Sequence, residues 1–381
     1  MQNRNSHIIY LTIILVTVLA FSLMTIYASS EVAVAVSARS AVLYCPETDS
    51  VLFSKNADEK LPMASTTKIM TALVAVESCD VTEEVEITCD AVGIEGSSAY
   101  LKAGEVLTVE ELLYALLLQS ANDAAVAIAL YVSGSIEAFA DMMNEKAEEL
   151  ALSDTHFTNP HGLDDKEHYT TAAELAKIAA EALRNPTIKE IAATYKKTFS
   201  TEQRTRTYVN HNKLLRLYDG AIGVKTGFTK RSGRCLVGAA ERDGLILVSV
   251  TLDAPDDWRD HEAMLDFGYE KIERVTFTLP YEHSYDISVL GKDGKSIAVT
   301  NKEGASVILP KTEREICEYV KLSRFVPAPV RCGDILGEVI YTVDGKVMAR
   351  VNLVATEDVS EPSKDGFIKR IFRGIFDKKD R

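Results

Sequence analysis

Three short stretches of the chain hold residue types that act together in acyl transfer. In Ser65-Thr66-Thr67-Lys68 a hydroxyl and an amine are three residues apart, a spacing that puts both on one face of a helix start. A nucleophile and its base can therefore touch, and the backbone N–H groups of a helix N-terminus can help stabilise an oxyanion. Alone the pair is weak, because a capping Ser followed by an exposed Lys has the same composition. Ser120-Ala121-Asn122 lies between the apolar runs 112–118 and 124–132, which puts a polar triplet at a turn between two buried helices. It too is weak alone, since Ser54-Lys55-Asn56 has the same Ser-x-Asn pattern by chance. Lys225-Thr226-Gly227 precedes the apolar run 236–240, so a cation and a hydroxyl sit on a strand edge, where they suit a carboxylate. Gly227 there allows a ligand to approach the backbone closely. In this order the three stretches fit a serine acyl-transfer site.

Those groups need a scaffold, and the apolar periodicity supplies one. Residues 40–44 and 49–55 read as a hairpin, and residues 65–77 carry Ile69, Met70, Leu73 and Val74 at helical spacing. Thr108-Val109-Glu110-Glu111 and Thr171-Ala172-Ala173-Glu174 are capping boxes ahead of apolar helical runs. The runs 236–240 and 245–252 meet across Arg242-Asp243-Gly244, a hairpin signal. The expected body is α+β, with an antiparallel sheet flanked by helices over residues 31–274. From 275 to 356 helical periodicity gives way to short strands, with turns at Asp293-Gly294 and Asp344-Gly345, which predicts a small all-β domain.

The chain of 381 residues, 46% of them hydrophobic and 26% charged, has room for two or three folded domains. Its net charge of −14 argues against nucleic acid as a partner. Residues 8–28 form one apolar run after Arg4, and small residues follow at Ala28-Ser29-Ser30 and Ala33-Val34-Ala35, so residues 1–30 are expected to be an export signal, with an uncleaved signal anchor as the alternative. The chain is therefore expected outside the cytoplasm. Six cysteines permit disulfides there, although six buried free thiols are as reasonable in a chain this large. No Cys-x-x-Cys or His-Glu-x-x-His spacing occurs, so neither a metal nor another cofactor is expected. Residues 357–381 are read as a linker and an amphipathic helix. In 364–381, Phe367, Ile368, Ile371, Phe372, Ile375 and Phe376 share one face opposite Lys369, Arg370, Arg373 and Lys378, a pattern suited to an anionic membrane surface.

The chain resembles the low-molecular-mass penicillin-binding proteins, the serine D-alanyl-D-alanine carboxypeptidases of peptidase family S11, along nearly all its length. Besides the three motifs, the stretches 62–73, Asn159-Pro160-His161-Gly162-Leu163-Asp164 and 223–229 are similar to stretches typical of that family. The resemblance implies a two-step acyl transfer on peptidoglycan stem peptides ending in D-Ala-D-Ala, with β-lactams as inhibitors. By this resemblance Ser65 is the nucleophile, Lys68 its base, and Ser120 the relay to the departing D-alanine. Asn122 would hold the substrate backbone, Lys225 and Thr226 its carboxylate, and the N–H groups of Ser65 and Phe228 the oxyanion, with Gly227 between. A neutral Lys68 requires a depressed pKa, which burial beside Lys225 would supply. His161 is read as a structural loop residue. Some relatives carry an Arg upstream of the Lys-Thr-Gly strand, where the comparable stretch here is Asn210-His211-Asn212-Lys213. A β-lactamase would need a deacylating base in a Glu-x-x-Leu-Asn string, which this chain lacks. A non-catalytic wall-binding protein would be expected to have lost Ser65 or Lys68. A DD-endopeptidase or transpeptidase is the nearest rival, because the motifs do not separate acceptors.

Overall fold

A computed structural model describes residues 34–200, 204–290 and 295–360. The expected export segment 1–30, the turn at Asp293-Gly294 and the basic segment 364–381 lie outside the described residues, as do residues 361–363 of the linker that precedes the last.

The first part of the chain forms β1 (Ser40–Cys45), β2 (Ser50–Lys55), α1 (Lys68–Ser78), β3 (Glu84–Glu86), β4 (Val106–Thr108), α2 (Val109–Leu118), α3 (Asn122–Ser133) and α4 (Ile136–Glu149). It continues through α5 (Ala172–Arg184), α6 (Pro186–Ala193), β5 (Lys196–Ser200), β6 (Thr205–Val209), α7 (Leu214–Leu217), β7 (Ala221–Thr229), β8 (Gly233–Arg242), β9 (Leu245–Leu252) and α8 (Asp257–Lys271). Five strands pair antiparallel in the order β2-β1-β9-β8-β7, so β7 is an edge. The β8–β9 turn uses Asp243 and Gly244 at φ +51° and +73°, the two left-handed positions a tight hairpin of this twist needs. Along β9 the alternation is complete. Val248, Val250 and Leu252 face one core with α1, α2, α3 and α5, while Leu245 and Leu247 face a second core with α8. A sheet covered on both faces explains the near-continuous apolar runs of β8 and β9.

Two local expectations change. The helix expected over 65–77 begins with a 3₁₀ turn, Ala64–Thr67, and α1 starts at Lys68. The capping boxes are half formed. Thr108 and Thr171 accept from the backbone N–H groups of Glu111 and Glu174, but the two carboxylates turn elsewhere, Glu111 to Arg204 and Glu174 to Asp154 N and Thr155. Buried or half-buried partners of opposite charge or with unmet N–H groups outcompete the reciprocal bond to the cap.

Beyond α8 come β10 (Ile272–Thr278), β11 (Ser284–Leu290), β12 (Ser296–Asn301), β13 (Ala305–Pro310), β14 (Ile316–Leu322), β15 (Phe325–Pro327), β16 (Ile335–Val343) and β17 (Lys346–Ala355). Six of them form a sheet in the order β14-β16-β17-β12-β11-β15, and β10 pairs with β13. Strand β10 thus spans the expected boundary at residue 274. Asp344 and Gly345 turn β16 into β17 at φ +48° and +75°, and a separate core of Ile287, Ile297, Val299, Val339 and Leu353 fills this part. All six cysteines are free, and only Cys45 and Cys235 are buried, so the reading of six buried thiols holds for two. Among the described residues no single helix is long and apolar enough to cross a membrane.

Candidate active site

The 3₁₀ turn changes how Ser65 meets Lys68. In that geometry residues i and i+3 eclipse, and Lys68 Nζ lies 3.0 Å from Ser65 Oγ. Lys68 is fully buried. Its Nζ also donates to two carbonyl oxygens, His161 O at 2.6 Å and Asn122 Oδ1 at 2.7 Å. Burial pushes its pKa well below that of a free lysine, the charge of Lys225 pushes it further, and Asp123 opposes both. An amine held neutral has two hydrogens and one lone pair. The two carbonyls take the hydrogens, and the lone pair is left for the Ser65 hydroxyl proton. The alternative of a capping Ser with an exposed Lys is excluded.

Ser120 and Asn122 occupy the turn between α2 and α3, as their spacing predicts. Ser120 is buried and stands in the left-handed region at φ +61°. Asn122 opens α3 with its amide committed, since Oδ1 accepts from Lys68 and Nδ2 donates to Glu95 O. One Nδ2 hydrogen is therefore spent inside the protein, so a substrate can receive at most the other. Asp123 fixes the loop that covers Asn122, accepting from Ser98 Oγ, Ala99 N and Leu101 N at 2.6, 2.9 and 3.0 Å. Gly96 belongs to that loop, where a Cβ would lie 2.7 Å from Asn122 Nδ2.

Lys225, Thr226, Gly227 and Phe228 run along the edge strand β7. Lys225 is buried, its Nζ donates to Thr226 O at 2.9 Å, and burial lowers its pKa to about 7. At Gly227 a Cβ would lie 3.1 Å from both Ser65 N and Met63 O. The close approach this glycine permits is thus by the protein's own 3₁₀ turn at Ala64–Thr67. It brings the edge strand alongside Ser65. The Phe228 side chain is 66% exposed, which leaves its backbone as the part that can serve the site. His211 is exposed at the surface, and partial desolvation of its ring and then the Lys225 charge lower its pKa.

One contributor carries no side-chain signature in the sequence. The His161 carbonyl reaches Lys68, while its imidazole, with a pKa lowered to about 3 by burial and then by Lys68, stays neutral. Asn159 shapes the loop by accepting from His161 N and Gly162 N at 3.3 and 2.7 Å. An Asn-x-x-Gly turn signal was therefore present, but it identifies a turn and not which carbonyl faces the base. Among the described residues no group of three or more His, Cys, Asp or Glu could hold a metal ion.

Residues 27–256 match the D-alanyl-D-alanine carboxypeptidase family, and residues 280–361 match the C-terminal domain of penicillin-binding protein 5. The chain is 34% identical over 348 residues to D-alanyl-D-alanine carboxypeptidase DacF of Bacillus subtilis, covering 87% of this chain and 88% of the relative. It is 31% identical to DacC of Escherichia coli, covering 88% and 87% of the two. Among solved structures, D-alanyl-D-alanine carboxypeptidase DacD of Francisella tularensis is similar with a TM-score of 0.62 at 26% identity, over 86% of this chain and 95% of that one. Penicillin-binding protein 5 of Haemophilus influenzae gives 0.62 at 28% identity, over 86% and 98%. With a hydroxyl, a buried amine of lowered pKa and a second buried lysine on one turn, one helix and one edge strand, and with the family match spanning residues 27–256, the chain belongs to the D-alanyl-D-alanine carboxypeptidase family of serine peptidases.

Proposed function

We propose that this chain removes the terminal D-alanine from peptidoglycan stem peptides ending in D-Ala-D-Ala through an acyl-enzyme on Ser65, and that β-lactams acylate the same hydroxyl. The observation that carries the reading is the buried Lys68 amine 3.0 Å from Ser65 Oγ with its two other contacts on carbonyl oxygens. Ser65 Oγ attacks the carbonyl between the D-alanines as its proton passes to Lys68. The oxyanion is held by the N–H groups of Ser65 and Phe228. That proton reaches the departing D-alanine nitrogen through Ser120 as the C–N bond breaks. Water then attacks the ester with Lys68 again as base, which releases the shortened peptide. Lys225 and Thr226 hold the substrate carboxylate, and Asn122 gives its remaining amide hydrogen to the substrate backbone.

Residues 8–28 and 364–381, both outside the described residues, support a location on the outer face of the cytoplasmic membrane, by export and by attachment of the basic amphipathic segment to anionic lipid. Flotation with phosphatidylglycerol vesicles, compared with neutral phosphatidylcholine and with the chain truncated at 363, checks the attachment. The chemistry is tested by an intact-mass time course of the purified chain with benzylpenicillin. A persistent adduct of one penicilloyl group that is absent in Ser65→Ala, together with D-alanine released from a D-Ala-D-Ala peptide, is the expected result. Intact penicillin with unmodified protein would refute the acyl-enzyme.

A further inference from the structure

Beneath the nucleophile turn a buried histidine outside all three motifs joins two parts of the site. His168 is 3% exposed, and Phe157 packs edge-on against its ring with 5.7 Å between centroids. The backbone N–H of Thr158 donates to His168 Nδ1 at 3.1 Å, so the direction of this bond assigns the ring hydrogen to Nε2. From there the bonds run one way. Nε2–H donates to Thr67 Oγ1 at 2.7 Å, and Thr67 Oγ1 donates to Ala64 O at 2.8 Å. Burial lowers the His168 pKa to about 4, against the opposing pull of Asp165, which keeps the ring in this neutral, one-donor form.

Both ends of the chain of bonds reach groups that the reaction needs. Ala64 precedes Ser65 and holds an unfavourable left-handed conformation, φ +48°, that its surroundings must impose. Thr158 begins the loop that leads to His161, whose carbonyl accepts from Lys68. Isolated bridges pair His156 with Tyr169 and Leu61 with Thr170, and His168 stands beside them, where the nucleophile turn and the acceptor loop are tied together. Without its nitrogens, the buried Thr67 hydroxyl loses its donor and the half-buried Thr158 N–H its acceptor, and the left-handed turn loses the bond that orients Thr67 toward Ala64 O.

We propose that His168 is a positioning residue for acyl transfer: through Thr67 and Thr158 it fixes Ser65 Oγ and the His161 carbonyl about Lys68 Nζ. This rests on the reading of Ser65 and Lys68 as nucleophile and base. The test uses the full-length chain with benzylpenicillin followed by intact mass, which yields a maximal acylation rate and a half-saturating concentration. His168→Leu is expected to lower the maximal rate about 10- to 100-fold with half-saturation within about twofold, because misplacement of a reacting pair acts on the chemical step. His168→Gln, which keeps a donor near Nε2, is expected to recover the rate to within about threefold of wild type. Thr67→Val keeps the side-chain volume and removes the middle hydroxyl, so it carries the same expected loss where circular dichroism shows His168→Leu unfolded. Folded Leu and Val variants acylated at the wild-type maximal rate, or a Gln variant no faster than a folded Leu variant, would overturn the proposal. A wild-type chain that is never acylated at Ser65 would instead refute the underlying reading.

Discussion

Replacing Gly162 by alanine should separate the geometry of the base from the stability of the fold. Gly162 has φ +84°, and a Cβ there would lie 2.0 Å from Ala64 O, 2.4 Å from Ala64 C and 2.9 Å from Thr67 Oγ1. Restoring even a 3.0 Å contact to that carbonyl requires the loop and the nucleophile turn to part by about 1 Å. The neighbouring His161 carbonyl now sits 2.6 Å from Lys68 Nζ. The same displacement would stretch that bond to about 3.6 Å, where it ceases to be one. Lys68 then loses one of the two acceptors that aim its lone pair at Ser65, and the acylation rate is expected to fall on the order of 100-fold. Gly134, the C-cap of α3, is the control, because it has φ +81° and nothing within 4 Å of a Cβ. Alanine at either position carries the left-handed backbone penalty of about 1–2 kcal/mol. Urea unfolding measures that shared cost, and the penicilloylation rate of folded protein measures the difference. A Gly162→Ala protein acylated within about threefold of Gly134→Ala would refute the argument that this loop holds the base in place.

Two other perturbations follow from the electrostatics of the site. Lys225→Met removes the positive charge that helps depress Lys68, so the Lys68 pKa rises and the pH above which its amine is neutral rises with it. The acidic limb of the penicillin acylation profile should move to higher pH, and an unmoved limb would mean that the two lysines do not interact. In the unmodified chain, kcat/KM for a peptide substrate should decline as pH rises through about 7, where Lys225 loses the charge that holds the carboxylate. Asp123→Asn replaces an acceptor-only group with one that must turn a donor toward some of four donors, Ser98 Oγ and the N–H groups of Ala99, Leu101 and Ala124. The expected loss is about 3 kcal/mol of stability, read as a lower urea midpoint with an unchanged slope.

What could be read from the sequence were the features set by spacing. The three-residue step from Ser65 to Lys68, the turn at Ser120 and the edge position of Lys225 all follow from local periodicity, and so do the β8–β9 and β16–β17 turns. Features that depend on contacts between distant backbones were not legible. The His161 carbonyl is 93 residues from Lys68, and a carbonyl leaves no trace in residue type. His168 belongs to none of the three motifs, and its partners Thr67 and Thr158 come from two other segments. Strand pairing can be hidden in the same way. Strand β14 is exposed along most of its length and carries Glu318 and Lys321, so its pairing with β16 is not announced by an apolar face.

The two buried lysines illustrate how one arrangement divides two tasks between like residues. Each is desolvated, and if both were charged they would repel, so the pair is most stable with one proton fewer. The hydrogen bonds decide which lysine gives up that proton. Lys68 has two carbonyl acceptors for the hydrogens of a neutral amine and a hydroxyl for its lone pair, so deprotonation there leaves every polar atom matched. Lys225 lies along β7 with Thr226 O as its acceptor, and burial alone is what lowers its pKa. Where Lys68 has given up its proton and Lys225 keeps its own, the pair holds a single positive charge, on the strand rather than on the helix. On the proposed function that charge would meet the negative charge of the substrate terminus, while its field adds to the burial that lowers the pKa of the neighbouring amine. Binding of the carboxylate and activation of Ser65 consequently draw on the same charge, and so a single substitution at Lys225 is expected to disturb both substrate affinity and the pH at which the nucleophile becomes competent.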